Sequence, residues 1–205
     1  MGATWSQAVS VFSALLAQAV TAGRYRGESI ADHSFRMAMM SMIAPSLNLD
    51  QNRCVKMCLV HDLGETLVGD ITPADGVPKA EKERREKLAI NHITELLKPL
   101  SIVVAKEIQE LWDEFEHCET PESQFVQDID KLELLSQMIE YEKRGKINLQ
   151  EFTYVKTKIR LPDTKRWAEQ LLDEREKFWA GKEVPIGIGT GEDTKSEQDQ
   201  YYSNK

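Results

Sequence analysis

The chain has 205 residues, is 41% hydrophobic and carries a formal charge of −8 with a pI near 5.2. That length and apolar content suffice for one sizeable core, so a single domain is the default. An acidic surface argues against nucleic-acid polymers and anionic membranes as partners, because both require a basic face.

In chain order, residues 5–22 place Val9, Phe12, Leu15, Leu16 and Ala19 on one helical stripe. Ala17-Gln18-Ala19 imitates a signal-peptidase site, but no basic residue precedes Arg24, so the charged start of a secretory signal is missing. Met1 to Ser6 fits the loose pattern for myristoylation without a polybasic patch behind it. No apolar run reaches the ~20 residues of a membrane span, and the segment reads as a core helix. A polar loop over 24–29 leads to a helix ending at Ile43, with Asp32 as its expected N-cap. Pro45 breaks the chain before a helix over 50–61, and the Pro and Gly breakers of 69–78 mark one long loop. A charged helix over 79–97, a second over 101–116 and a long one over 120–144 follow, the last with Pro121 in its first turn. Shorter helices are expected over 149–158 and 163–180. No strand-like alternation is present, so the expected fold is all-α. Residues 1–180 read as one domain and 181–205, polar and Gly-rich, as a disordered tail.

Cys54, Cys58 and Cys118 are odd in number and lack a C-x-x-C spacing. Cys54 and Cys58, four apart on one helix, read as reduced core thiols. His117-Cys118 is half of a zinc site with no second half. A reducing, cytoplasmic-type compartment follows, which leaves the nucleus open.

Chemistry concentrates in three places. His61-Asp62, in Val60-His61-Asp62-Leu63-Gly64-Glu65, joins two kinds of metal ligand. Neighbouring helical residues point about 100° apart, so both reach one ion only at a helix end or a bend, and Gly64 is placed to supply one. Upstream, His33 opens a strongly apolar helix. Downstream, Asp130 lies beside a stripe of Phe125, Ile129, Leu132 and Met138, flanked by Val126 and Leu134. A carboxylate near a core costs several kcal/mol unless paired or metal-bound. Each element alone has an ordinary explanation: a surface pair, a hydrogen-bonded core histidine, a helix-surface acid. Together, two His and two Asp on three apolar helices suit a single Mn, Co, Fe, Zn or Mg ion. For a phosphate ester, Arg24, Arg26, Arg36, Lys79 and Lys82 are candidate bases, although Glu81 to Lys87 reads as a solvated helix face with i,i+4 pairs.

The order His33, His61-Asp62, Asp130 resembles the HD-domain metal phosphohydrolases. The longer pattern, Glu28, then Leu59 through Gly69-Asp70 to Asp75, then Asp130, is similar to the HD-domain 5′-deoxynucleotidases, including the eukaryotic HD-domain-containing protein 2 group. The likeness covers most of the chain before the tail. It implies an all-α HD-domain helical bundle with the metal site between core helices, acting on the 5′-phosphate of (2′-deoxy)nucleoside monophosphates. It implies His33, His61, Asp62 and Asp130 as ligands of a divalent ion (Mn, Co, Zn or Mg) and Glu65 and Asp70 as the acid–base carboxylates. It also implies a second ion such as Mg on Glu65, Asp70 and the Ile71 carbonyl. Arg24, Arg26 and Thr72 are the expected substrate contacts, and homodimers are common among such relatives. Those nucleotidases carry an Arg-Trp or Gly-Trp element shortly before the Glu28 position. Here Val20 to Arg26 has no Trp, and Arg24 and Tyr25 stand in that stretch.

The alternatives within enzymes are a nucleotide pyrophosphohydrolase and a metal-dependent oxygenase. An oxygenase of this kind needs further His ligands for two irons, and His92 and His117 sit on charged helices. The alternative outside enzymes is an inactive HD scaffold that binds nucleotide or a partner protein. A scaffold has no physical need for all six acid and imidazole groups. The expected chemistry is metal-assisted phosphomonoester hydrolysis.

Overall fold

The structure, a computed structural model, describes residues 29–44, 47–71, 75–145 and 147–182. The expected helix over 5–22, the positions Arg24, Tyr25, Arg26 and Thr72, and nearly all of the tail lie outside the described residues.

Helix α1 runs Ile30–Ile43, and its cap is Ser29, not Asp32. Ser29 Oγ accepts from the Asp32 N–H at 3.1 Å, and the Asp32 carboxylate accepts from the Ser29 N–H at 3.1 Å. This reciprocal capping box starts the helix ahead of the position expected from Asp32. Helix α2, Gln51–Val60, is capped by Asp50 on the Arg53 N–H at 3.1 Å. Gln51 closes the turn from α1 by donating to the Met42 carbonyl at 2.9 Å. A single turn, α3, spans Glu65–Val68; α4 is Lys79–Leu97, α5 Ile102–His117 and α6 Pro121–Gly145. Thr120 and Ser123 cap the start of α6 reciprocally, each side-chain oxygen accepting the other's N–H at 3.1 Å.

The stretch Gln150–Lys158 is a 3₁₀ helix where an α-helix was expected, and none of its residues is buried. Val155 of the segment packs, partly buried, against the core. Helix α7, Pro162–Trp179, begins at Leu161, which has no capping side chain. The buried Asp128 of α6 does that work from a distance. It accepts from the Arg160 N–H at 3.0 Å, the Leu161 N–H at 2.8 Å and the Thr164 hydroxyl at 2.6 Å. Every described element is helical, with no strand among the described residues.

Helix α6 is the axis of the molecule and packs against α1, α2, α5, α7 and the 3₁₀ helix. Met37, Met57, Val126, Ile129, Leu132 and Leu135 are fully buried around it, each contributing roughly 1.5–3 kcal/mol of apolar burial. Val126, expected on a flank, is at the centre. Glu142 of α6 is also buried. It accepts from Arg175 at 2.7 and 2.8 Å, from Trp179 Nε1 at 2.9 Å and from the Leu149 N–H at 2.8 Å. Burial pushes the Glu142 carboxyl up, and these donors outweigh it, holding it below its ordinary value. The three cysteines are free and buried. Among the described residues no helix is long and apolar enough to cross a membrane.

Candidate metal centre

Beyond Val60 the backbone bonding of α2 tightens. The N–H groups of Leu63, Glu65 and Leu67 reach carbonyls three residues back, Val60, Asp62 and Gly64, at 3.1, 3.0 and 3.1 Å. His61 Nε2 and Asp62 Oδ2 finish 3.0 Å apart. Gly64 does not supply the bend expected of it. Its φ of −61° and ψ of −37° are open to any residue. What requires the absent side chain is a close approach of α4: a Cβ on Gly64 would stand 3.2 Å from the Glu86 carbonyl oxygen.

Two histidines aim one nitrogen each at the same place. His61 is buried, and its Nδ1 lies 2.9 Å from the Cys58 carbonyl. A carbonyl only accepts, so Nδ1 carries a proton, and the buried Nε2 makes no hydrogen bond although Asp62 Oδ2 lies 3.0 Å away. On α1, His33 Nδ1 lies 2.7 Å from Glu133 Oε2, while Nε2 is 3.7 Å from Asp62 Oδ2 and 3.4 Å from Asp130 Oδ1. One ligand atom from each of His33, His61 and Asp62 lies within 4.8 Å of the others. Asp130 joins through His33, with its side chain 34% exposed. The set is therefore closed on the His61 side and open to solvent along Asp130.

The residues fit a divalent ion. A buried ring nitrogen without a hydrogen bond is expensive to leave unsatisfied, and imidazole with carboxylate is the donor chemistry of such ions. The carboxylates that would balance an ion's charge already act on the imidazole. Burial pushes the His33 imidazolium down, but hydrogen bonds to Asp130 and Glu133 outweigh it and lift it to about 11. Burial pushes Asp130 up, and His33 with Lys131 outweighs that, holding it well below the usual carboxylate range.

Glu65 sits one turn past Asp62, buried, with Lys82 Nζ at 3.1 Å. Burial, together with the Asp62 charge, lifts its carboxyl to about 7 against the opposing pull of Lys82. Asp70 is exposed and follows Gly69, whose φ of 80° glycine adopts without strain. Ile71 is buried. Arg36, a candidate phosphate base in the sequence, is instead buried and paired with Glu133 at 2.8 Å and Glu140 at 3.1 Å. Lys79 pairs with Glu83 at 3.7 Å. His117 bonds the Asp113 carbonyl, and the Cys118 sulfur takes a hydrogen bond from Arg160 at 2.6 Å, so neither belongs to a metal group.

Sequence reasoning missed Glu133. The signal was present: Arg36 follows His33 by three and Glu133 follows Asp130 by three, one turn on each of two facing helices.

Fold and site together define an all-helical protein with a candidate metal centre of the HD type. A family model described as "HD domain" matches residues 17–167. The chain is 45% identical to 5′-deoxynucleotidase hdd1 of Schizosaccharomyces pombe, over 77% of this chain and 81% of that protein. It is also 45% identical to 5′-deoxynucleotidase HDDC2 of Danio rerio, over 72% of this chain and 74% of that one. A solved structure, the HD domain-containing protein YGK1, superposes with a TM-score of 0.60 at 30% identity, covering 83% of this chain and 87% of its own. The chain belongs to the HD-domain family, in the branch of the 5′-deoxynucleotidases.

Proposed function

We propose that this chain is a metal-dependent 5′-deoxynucleotidase, converting 2′-deoxynucleoside 5′-monophosphates to nucleoside and phosphate. The observation that carries the reading is the pair of imidazoles with Nδ1 tied to Cys58 and Glu133 and Nε2 turned to Asp62 and Asp130. The names of the relatives support the substrate class. His33, His61, Asp62 and Asp130 would hold the ion, of the Mn, Co, Zn or Mg kind. A bound divalent ion draws charge from a phosphoryl group and lowers the pKa of water.

The chain's own residues supply the rest. Glu65, lifted to about 7, is poised to take a water proton and return it to the departing 5′-oxygen. Asp70, exposed at the edge of the same turn, is the second carboxylate, and Glu65, Asp70 and the Ile71 carbonyl would hold a second ion such as Mg. Arg24, Arg26 and Thr72 are proposed to contact substrate. A homodimer is proposed on family likeness, and a cytoplasmic compartment on the buried free thiols.

The test is phosphate release from dAMP, dCMP and dTMP against AMP, CMP and a 3′-monophosphate, with Mn, Co or Mg supplied. Deoxynucleoside 5′-monophosphates are expected to turn over fastest, with little preference among bases. Equal rates on ribonucleotides would remove the sugar selectivity. Release from none of them would replace this reading with a pyrophosphohydrolase or an inactive scaffold.

A further inference from the structure

The run from Glu81 to Lys87 on α4 reads in sequence as a solvated face, and half of it is one. Arg84 and Arg85 both pair with Glu81 at 2.7 Å and lie on the exposed side. Lys82 and Glu86 turn the other way, with side chains only 20% and 9% exposed. Lys82 Nζ stands 3.1 Å from Glu65 Oε1 and 3.4 Å from Glu86 Oε1. Two nearly enclosed carboxylates thus share one ammonium.

An exposed lysine spreads over many rotamers and holds its partner weakly. Here Glu86 fixes the ammonium from behind, and the backbone of the turn before Glu65 is pressed onto α4 at Gly64. We infer that Lys82 is a positioning residue for Glu65, with Glu86 as its anchor, so that α4 sets the direction of the carboxylate that handles the proton. The inference rests on the proposed role of Glu65.

The test uses the full-length, metal-loaded protein with dAMP. Glu65→Gln examines the underlying reading, and Lys82→Met, which keeps the apolar stem and removes the donor, examines the inference. Lys82→Met is expected to lower kcat by ~10–100-fold, the range for residues that orient a working group, with KM and the ion proposed on His33, His61, Asp62 and Asp130 unchanged. Lys82→Arg should restore part of the rate. In the double variant Lys82→Met/Glu65→Gln the losses should not multiply, because both act through one carboxylate. Glu86→Gln, which leaves Lys82 in place but loosens it, serves should Lys82→Met fail to fold, and it should also lower kcat. If Glu65→Gln retains full rate, the proposed role of Glu65 falls and the inference with it. If Glu65→Gln is slow while the Lys82 and Glu86 variants run at the normal rate, or the losses multiply, the inference alone is overturned.

Discussion

His33 and Glu133 stand 100 positions apart in the chain, and His33 Nδ1 lies 2.7 Å from Glu133 Oε2. Glu133 is itself held by Arg36 Nε at 2.8 Å. This buried pair fixes the ring of His33 so that Nε2 faces Asp62 and Asp130. Glu133→Gln is expected to weaken metal affinity by ~10–100-fold, as for other carboxylates that orient a ligating imidazole. Chelator competition measures it, and an unchanged affinity would mean that packing alone orients His33.

Asp62→Ala removes the carboxylate shared by both imidazoles, with His61 Nε2 at 3.0 Å and His33 Nε2 at 3.7 Å. Both metal content and phosphate release should be lost. Elemental analysis of the purified variant decides it: a stoichiometric ion with normal turnover would show that the ion sits elsewhere.

Metal affinity should rise with pH. Asp130 and Glu133 lift His33 to about 11, so its ring holds a proton across the neutral range, and a divalent ion at Nε2 must displace it. Lower pH favours the proton, and one displaced proton corresponds to about a tenfold change in affinity per pH unit. Calorimetric titration of Mn at pH 7, in buffers of different ionisation enthalpy, counts the protons released. A count of zero would contradict the expectation.

Arg175→Met should destabilise the fold by about 3–5 kcal/mol, because it strands the buried Glu142 without its charged partner. The pH sign follows from the direction of the Glu142 shift. Its folded value lies below the ordinary one, so the stabilisation is present above the unfolded carboxyl value and lost as pH falls through the folded value. Urea unfolding of the native protein and of Glu142→Gln should therefore differ most near neutrality and converge in acid. A gap that widens in acid would reverse the assigned shift.

Much of this was legible beforehand. Periodicity placed α2, α4, α5, α6 and α7 within a residue or two, while α1 is capped at Ser29 and not at Asp32, and the apolar stripe of Phe125, Ile129, Leu132 and Met138 is buried as expected. His33, His61 and Asp62 bring one ligand atom each within 4.8 Å of the others, and Asp130 reaches the group through His33. What stayed hidden depends on partners distant in sequence. Periodicity says that Glu133 faces inward but not that His33 waits there. Lys82 and Glu86 have the i,i+4 spacing of a surface pair, and only the approach of Glu65 makes them part of the site. Gly64 reads as a bend because a sequence shows a missing side chain without showing the α4 backbone that occupies its space. Asp32, the N3 partner of Ser29, is itself a capping type of residue, so the sequence offers two caps for α1.

Helix α6 carries three buried or site-facing commitments along one rod: Asp128 at the start of α7, Asp130 at His33, and Glu142 under Arg175. A helix advances about 100° per residue, so one inserted residue between Asp130 and Glu142 would rotate the two ends out of register by that angle. Either the metal side or the Arg175 side would then face the wrong way, and no side-chain adjustment spans such an error. Insertions and deletions in this lineage should therefore fall in the connections between helices, leaving the spacing from Asp128 to Glu142 fixed to the residue. For anyone recombining this protein with its relatives, α6 is a segment to be exchanged whole or left alone.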